Sequence, residues 1–102
     1  MNYKLISLNI FNNQVSKLDK KSRANIHNKI QLIKENPFRF KKIHSTTYSR
    51  VFRVRLNLKL KETRLIYTLI NPNIILVCLL DRKKDYKDLE KYLKKIKQEL
   101  NL

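Results

Sequence analysis

The side chains best able to act on a substrate are cations. Phe52, Val54, Leu56, Leu58 and Leu60 alternate with Arg53, Arg55, Asn57, Lys59 and Lys61. Such strict alternation describes a strand with one apolar and one cationic face. Arg53 and Arg55 therefore project from the same side, about 7 Å apart, which approximates the step between successive phosphates of a nucleic-acid strand. Arg64 opens the following strand, and Arg82, Lys83 and Lys84 leave the end of the apolar run Ile74–Leu80, next to Tyr86. These groups suit an RNA phosphodiester. Cleavage by the adjacent 2′-hydroxyl needs in-line positioning, stabilisation of a dianionic phosphorane, and proton transfers. Arg serves the charge but, with a pKa above about 12, is a poor base. A Tyr or Lys takes a proton only with a depressed pKa, which a dense cationic patch favours. The same cations also suit the solvated side of an ordinary strand.

Other chemistries find little support. Asp19, Glu35 and Glu62 are scattered, and Asp81, Asp85, Asp88, Glu90 and Glu99 sit near the end. None forms a general acid/base pair, and capping or solvation accounts for Asp81 and Asp85. His27 and His44 have no Cys or carboxylate at ligand spacing, so no metal is expected. The single Cys78 lies in the apolar run, where burial makes a thiol inert. It permits neither an internal disulfide nor a multi-cysteine zinc site, and it fits a reducing compartment such as the cytoplasm. The absence of Gly excludes a dinucleotide-binding turn, a P-loop, a nucleophile elbow and an EF-hand loop. No small-molecule cofactor is expected.

The charge balance points to a polyanionic partner. The 102 residues carry 24 Lys+Arg and 8 Asp+Glu, a net charge of +16. Residues 36–67 hold 9 basic groups and 1 acidic group, net +8, against +5 for residues 1–35 and +3 for residues 81–102. Nucleic acid is the first candidate, followed by an acidic protein or an anionic membrane surface; a lysine-rich surface with no specific partner is the plain alternative. No secretory signal is evident, and Ile74–Leu80 is too short to cross a membrane. Cations available to grip RNA are Lys41, Lys42, Arg50, Lys59, Lys61, Lys83 and Lys84.

The elements that must position these groups follow from periodicity. Residues 2–8 read as a short strand and residues 10–18 as a short helix. Asp19 is placed to cap a second helix, carrying Ile26, Ile30 and Ile33 and ending before Pro37. Strands follow from Phe52, from Arg64 to Ile70 and from Ile74 to Leu80, the last two joined by a turn at Asn71-Pro72-Asn73. From Lys84 onwards Tyr86, Leu89, Tyr92, Leu93, Ile96 and Leu100 follow helical spacing. The expected fold is one α+β domain over residues 1–102: a small antiparallel-rich sheet of about four strands, with two N-terminal helices packed on one side and a C-terminal amphipathic helix.

In this order the segments resemble the RelE/ParE toxin superfamily, in its RelE-like branch. Leu18-Asp19-Lys20-Lys21 stands at the corner of the helical pair and Asn36-Pro37 closes it. Lys41-Lys42-Ile43 resembles the basic segment before the core sheet. Phe52-Arg53-Val54-Arg55-Leu56 and Arg64-Leu65-Ile66-Tyr67 resemble the family's two central strands, and Arg82 followed by Tyr86 its ending. The resemblance implies the toxin of a toxin–antitoxin pair: a metal-free endoribonuclease that cleaves mRNA in the ribosome, or a ParE-like inhibitor of DNA gyrase. A non-catalytic module binding RNA or an acidic protein is the third reading. The resemblance further implies that Arg53, Arg55 and Arg64 hold the scissile phosphate. Arg82 would be a transition-state stabiliser or acid, and Tyr86 would orient or deprotonate the 2′-hydroxyl. The partners implied are a cognate antitoxin, the ribosome and mRNA, with no membrane. Three features depart from the pattern. Arg replaces the frequent Lys at 53 and 55, no Gly precedes Arg64, and the last helix is long enough to cover the sheet.

Overall fold

The structure, a computed structural model, describes residues 3–82 and 87–102. Lys83, Lys84 and Tyr86 therefore lie outside the described residues. The elements are β1 (Lys4–Ser7), α1 (Asn9–Ser16), α2 (Lys20–Glu35), β2 (Lys41–Ile43), β3 (Val51–Leu58), β4 (Lys61–Ile70), β5 (Asn73–Asp81) and α3 (Leu89–Leu100). Five strands make one sheet in the order β1-β5-β4-β3-β2. The fold is α+β, with one strand more than expected. β2 has only three residues, too few for any periodicity to show. β1 runs parallel to β5, and the other neighbours are antiparallel.

Strand register decides which residues share a face. Phe52 lies opposite Tyr67 and Val54 opposite Leu65, while Arg53 lies opposite Ile66 and Arg55 opposite Arg64. Phe11 of α1 and Ile26 and Ile33 of α2 pack on the first set, together with Leu56, Leu69, Ile74 and Leu76. α3 packs on the other face, where Leu89, Leu93 and Ile96 join Val51, Ile66, Ile75, Val77 and Cys78. Helices thus cover both faces, the two N-terminal helices on one side as expected and the C-terminal helix on the other. Double burial explains why β5 is apolar without alternation. In its pairing with β4, Ile66 meets Cys78 but Tyr67 meets Leu76, which leaves Val77 as an extra residue. This bulge lets Val77 and Cys78 both join the α3 cluster.

Local chemistry fixes the ends of the elements. Asp19 enters α2 in extended geometry (φ −68°, ψ 166°), and the adjacent Ser22 hydroxyl holds its carboxyl below its ordinary pKa. At the far end, the Tyr67 hydroxyl donates to the Pro37 carbonyl at 2.7 Å, and its ring stacks on Phe52 at 5.2 Å. Burial pushes the Tyr67 phenol pKa far up, so this residue clamps the helix to the sheet and is no acid or base. Beyond the end of β1, Gln14 takes over the edge of β5: its amide donates to the Leu79 carbonyl (3.0 Å) and accepts from the Leu79 N–H (2.7 Å).

The turn between β3 and β4 departs from expectation. Alternation placed Leu60 with the core, yet the strand ends at Leu58 and Leu60 is fully exposed. Leu58 pairs directly with Lys61, so Lys59 and Leu60 alone make the reversal. Their φ angles are 50° and 65°, the left-handed pair that a two-residue hairpin of this twist requires. Each costs roughly 1–2 kcal/mol in a residue other than Gly.

Three polar contacts hold α3 on the sheet. The Glu90 carboxylate accepts from Ser45 Oγ (2.7 Å), the Thr46 N–H (3.1 Å) and Thr47 Oγ1 (2.9 Å). The Glu99 carboxylate accepts twice from the Asn9 N–H (3.0 and 3.1 Å), at the start of α1, where unpaired N–H groups favour an anion. The Tyr48 hydroxyl donates to the Leu102 carbonyl at 3.1 Å. Burial alone would raise the Glu90 pKa, but the hydrogen bonds from Ser45, Thr46 and Thr47 prevail and hold it below its ordinary value. A lowered folded-state pKa stabilises the fold above the unfolded value and ceases to do so as pH falls through the folded one. Urea denaturation should therefore find Glu90→Gln less stable than wild type at neutral pH. The gap should close below about pH 4.

Candidate nucleic-acid interface

The face of the sheet that carries α3 has an apolar part and a cationic part. α3 packs over the apolar part. Beyond it, β3 and β4 set Arg55 directly opposite Arg64, with their Cβ atoms about 5 Å apart. On edge strand β2, Lys41 lies opposite Arg53. Lys41, Arg53, Arg55 and Arg64 thus share one face across three adjacent strands. Lys41 and Arg55 are exposed, Arg53 is half-buried, and Arg64 is 8% exposed. Like charges directly opposite one another destabilise a strand pair. A bound anion would reverse the sign of the interaction between the two guanidinium groups.

Arg82 completes the border of this patch. It forms an ion pair with Glu62, which lies two residues before Arg64 on β4 and so on the same face, about 7 Å away. The Arg82 side chain is 64% exposed and that of Glu62 31%. Exposed pairs of this kind contribute about 0–1 kcal/mol, so a phosphate can compete for Arg82. Glu62, read from the sequence as a scattered acid, is the one acidic group beside the nine cations of residues 36–67.

The remaining cations lie elsewhere. Lys42 is opposite Phe52 and belongs to the face covered by α1 and α2. Arg50 precedes β3, and its carbonyl accepts from Thr68 Oγ1 and the Leu69 N–H. Lys59 and Lys61 are at the hairpin tip, lining a cleft of about 370 Å³ with Leu18, Leu58 and Leu79. Burial pushes the Cys78 thiol far up, and the Tyr92 phenol is raised by burial and then by Cys78 and Asp88. Neither therefore offers a base at neutral pH. Among the described residues, no group of three His, Cys, Asp or Glu side chains is placed to hold a metal ion. No described helix is long and apolar enough to cross a membrane.

No protein-family model and no curated protein matches the sequence. Solved structures do match. A mutant of the E. coli toxin RelE in the free state superposes with a TM-score of 0.72 at 19% identity, over 94% of this chain and 99% of that one. The chain has the RelE toxin fold. The isolated E. coli RelE toxin in another crystal form gives 0.64 at 17% identity, over 92% of this chain and 98% of that one. The intact E. coli RelBE toxin–antitoxin complex gives 0.58 at 17% identity, over 76% of this chain and 93% of that one. At 17–19% identity these matches show the fold of the chain.

If the Arg55–Arg64 opposition is kept for an anion, removing it should make the free protein more stable. Arg55→Thr should raise stability by about 0.2–1 kcal/mol in urea denaturation. The same variant should bind a labelled RNA oligonucleotide more weakly than wild type.

Proposed function

We propose that this protein is a RelE-type toxin that cleaves mRNA on the ribosome without a metal and is neutralised by a cognate antitoxin. The observation that carries this reading is the cation face on β2–β4, where Arg55 and Arg64 oppose each other beside Arg53 and Lys41. The RelE fold supports it, as does the presence of an antitoxin in one of the matching structures. In the proposed reaction Arg53, Arg55 and Arg64 hold the scissile phosphate. The 2′-hydroxyl attacks the adjacent phosphorus and the P–O5′ bond breaks, leaving a 2′,3′-cyclic phosphate and a 5′-oxygen that takes its proton from water. Charge grows meanwhile on the non-bridging oxygens, where fixed guanidinium groups stabilise it most. Arg82 leaves Glu62 for the phosphate as that charge develops. Tyr86 is assigned the proton transfer from the 2′-hydroxyl, the role that the family resemblance implies. Lys41 extends the grip along the RNA backbone.

Toeprinting on translating ribosomes tests the reading. Purified wild-type protein should produce cuts at codon spacing, and expression should arrest growth. Arg82→Ala should lower the cleavage rate about 10²–10³-fold with an unaltered circular dichroism spectrum. Intact mRNA together with inhibited DNA supercoiling would instead make the protein a gyrase inhibitor. Salt-dependent RNA binding with neither cleavage nor toxicity would make it a non-catalytic RNA-binding module.

A further inference from the structure

The hairpin tip between β3 and β4 combines three properties. Leu60 is fully exposed and adds nothing to either core cluster. Lys59 and Leu60 hold left-handed backbone angles, which Asn or Gly would adopt at less cost. Exposed lysines stand on both sides of the leucine. The tip is also rigidly tied to the cation face, because β3 and β4 pair without interruption from Val51 and Thr68 to Leu58 and Lys61. Leu60 therefore sits at a fixed distance of about 15 Å from Arg55 along the hairpin.

Beside the tip, the first turns of α2 and the end of β3 frame a notch of about 680 Å³. Its lining presents the amides of Asn25, Asn28 and Asn57, the ammonium of Lys21 and the carboxylate of Asp19. One of these amides is engaged, since Asn25 Nδ2 donates to the Asn57 carbonyl at 3.3 Å. Amide side chains both donate and accept, as the edges of bases require. An apolar side chain between two cations matches an unstacked base flanked by phosphates, whereas an acidic protein surface would satisfy the lysines and leave the leucine in water.

We propose that this tip is a second RNA contact, in which Leu60 packs on an unpaired base of a structured RNA while Lys59 and Lys61 neutralise its phosphates. The proposal rests on reading the chain as an RNA-acting toxin, and it adds a docking surface outside the cleavage site. Apolar wedges of this kind are a general device for holding distorted or unstacked nucleic acid.

A labelled RNA stem–loop with an unpaired loop, titrated by fluorescence anisotropy over a salt series, provides the test. Leu60→Asn should raise the melting temperature, because Asn tolerates the left-handed angle, yet weaken binding about tenfold with an unchanged salt slope. Lys61→Ala should reduce the salt slope by about one. Wild-type binding by Leu60→Asn overturns the proposal, and so does a lower melting temperature for that variant, which would make Leu60 part of the folding core. Unchanged RNA binding with weaker co-purification of a partner protein overturns it in favour of a protein surface. The cleavage reading fails separately. Leu60-dependent binding by a wild-type protein that makes no cuts in mRNA on translating ribosomes supports the tip contact and removes the nuclease.

Discussion

The register of β3 against β4 is the constraint on which the rest of this molecule depends. The side-chain period of a strand is two, so a slip of one residue would turn every side chain to the opposite face. With Leu58 opposite Lys61, the residues Phe52, Val54, Leu56 and Leu58 all reach the core beneath α1 and α2. The same register forces Arg53, Arg55 and Arg64 onto the other face. A shifted pairing would put guanidinium groups into the helical core and leucines into water, so burial on one side enforces the cation cluster on the other. The two-residue turn at Lys59–Leu60 admits no slack, and its backbone cost is offset by the packing it secures.

α3 then divides the face that the arginines occupy. Its buried stripe of Leu89, Leu93 and Ile96 covers Val51, Ile66, Ile75 and Val77, the apolar residues that would otherwise be exposed on the sheet. Arg55 remains exposed beside it. The sheet therefore carries a dry part that holds the helix and a wet part that holds charge, meeting at Arg64. Glu90 and Glu99, at opposite ends of the helix, hold it by bonds to a loop and to the start of α1 rather than to the sheet. The anchoring groups thus stay clear of the cation patch.

Much of this was legible in the amino-acid sequence because long periodic segments have a dominant physical cause. The alternation from Phe52 shows one half-buried strand, and Pro37 marks the end of α2 because it disfavours helical geometry at the preceding residue. What escaped reading lacked such a cause. Leu60 continued the alternation by coincidence, and without Gly nothing marked where the chain reverses. Helical periodicity in the last segment showed a buried stripe but not which face of the sheet receives it. The bulge at Val77 was hidden because residues buried on both sides leave no parity to read. In the site, the cations of one strand were visible as a set. The opposition of Arg55 to Arg64 and the pairing of Arg82 with Glu62 depend on register and chain reversal, which spacing along the chain does not encode.

The pairing of β1 with β5 has a consequence for how the protein comes into being. Lys4 meets Asn73 and Ser7 meets Leu76, and the N–H at the start of α1 finds its acceptor only at Glu99. The strand β1 and the start of α1 are thus completed only by segments about 70 to 90 residues further along the chain. Contacts of such large sequence separation carry a loop-closure cost before they return any stability. A nascent chain can pair β3 with β4 early but cannot close the sheet until β5 has emerged, nor seat α3 until that helix has followed. Closure of the sheet at β1 therefore follows the β3–β4 hairpin rather than accompanying it.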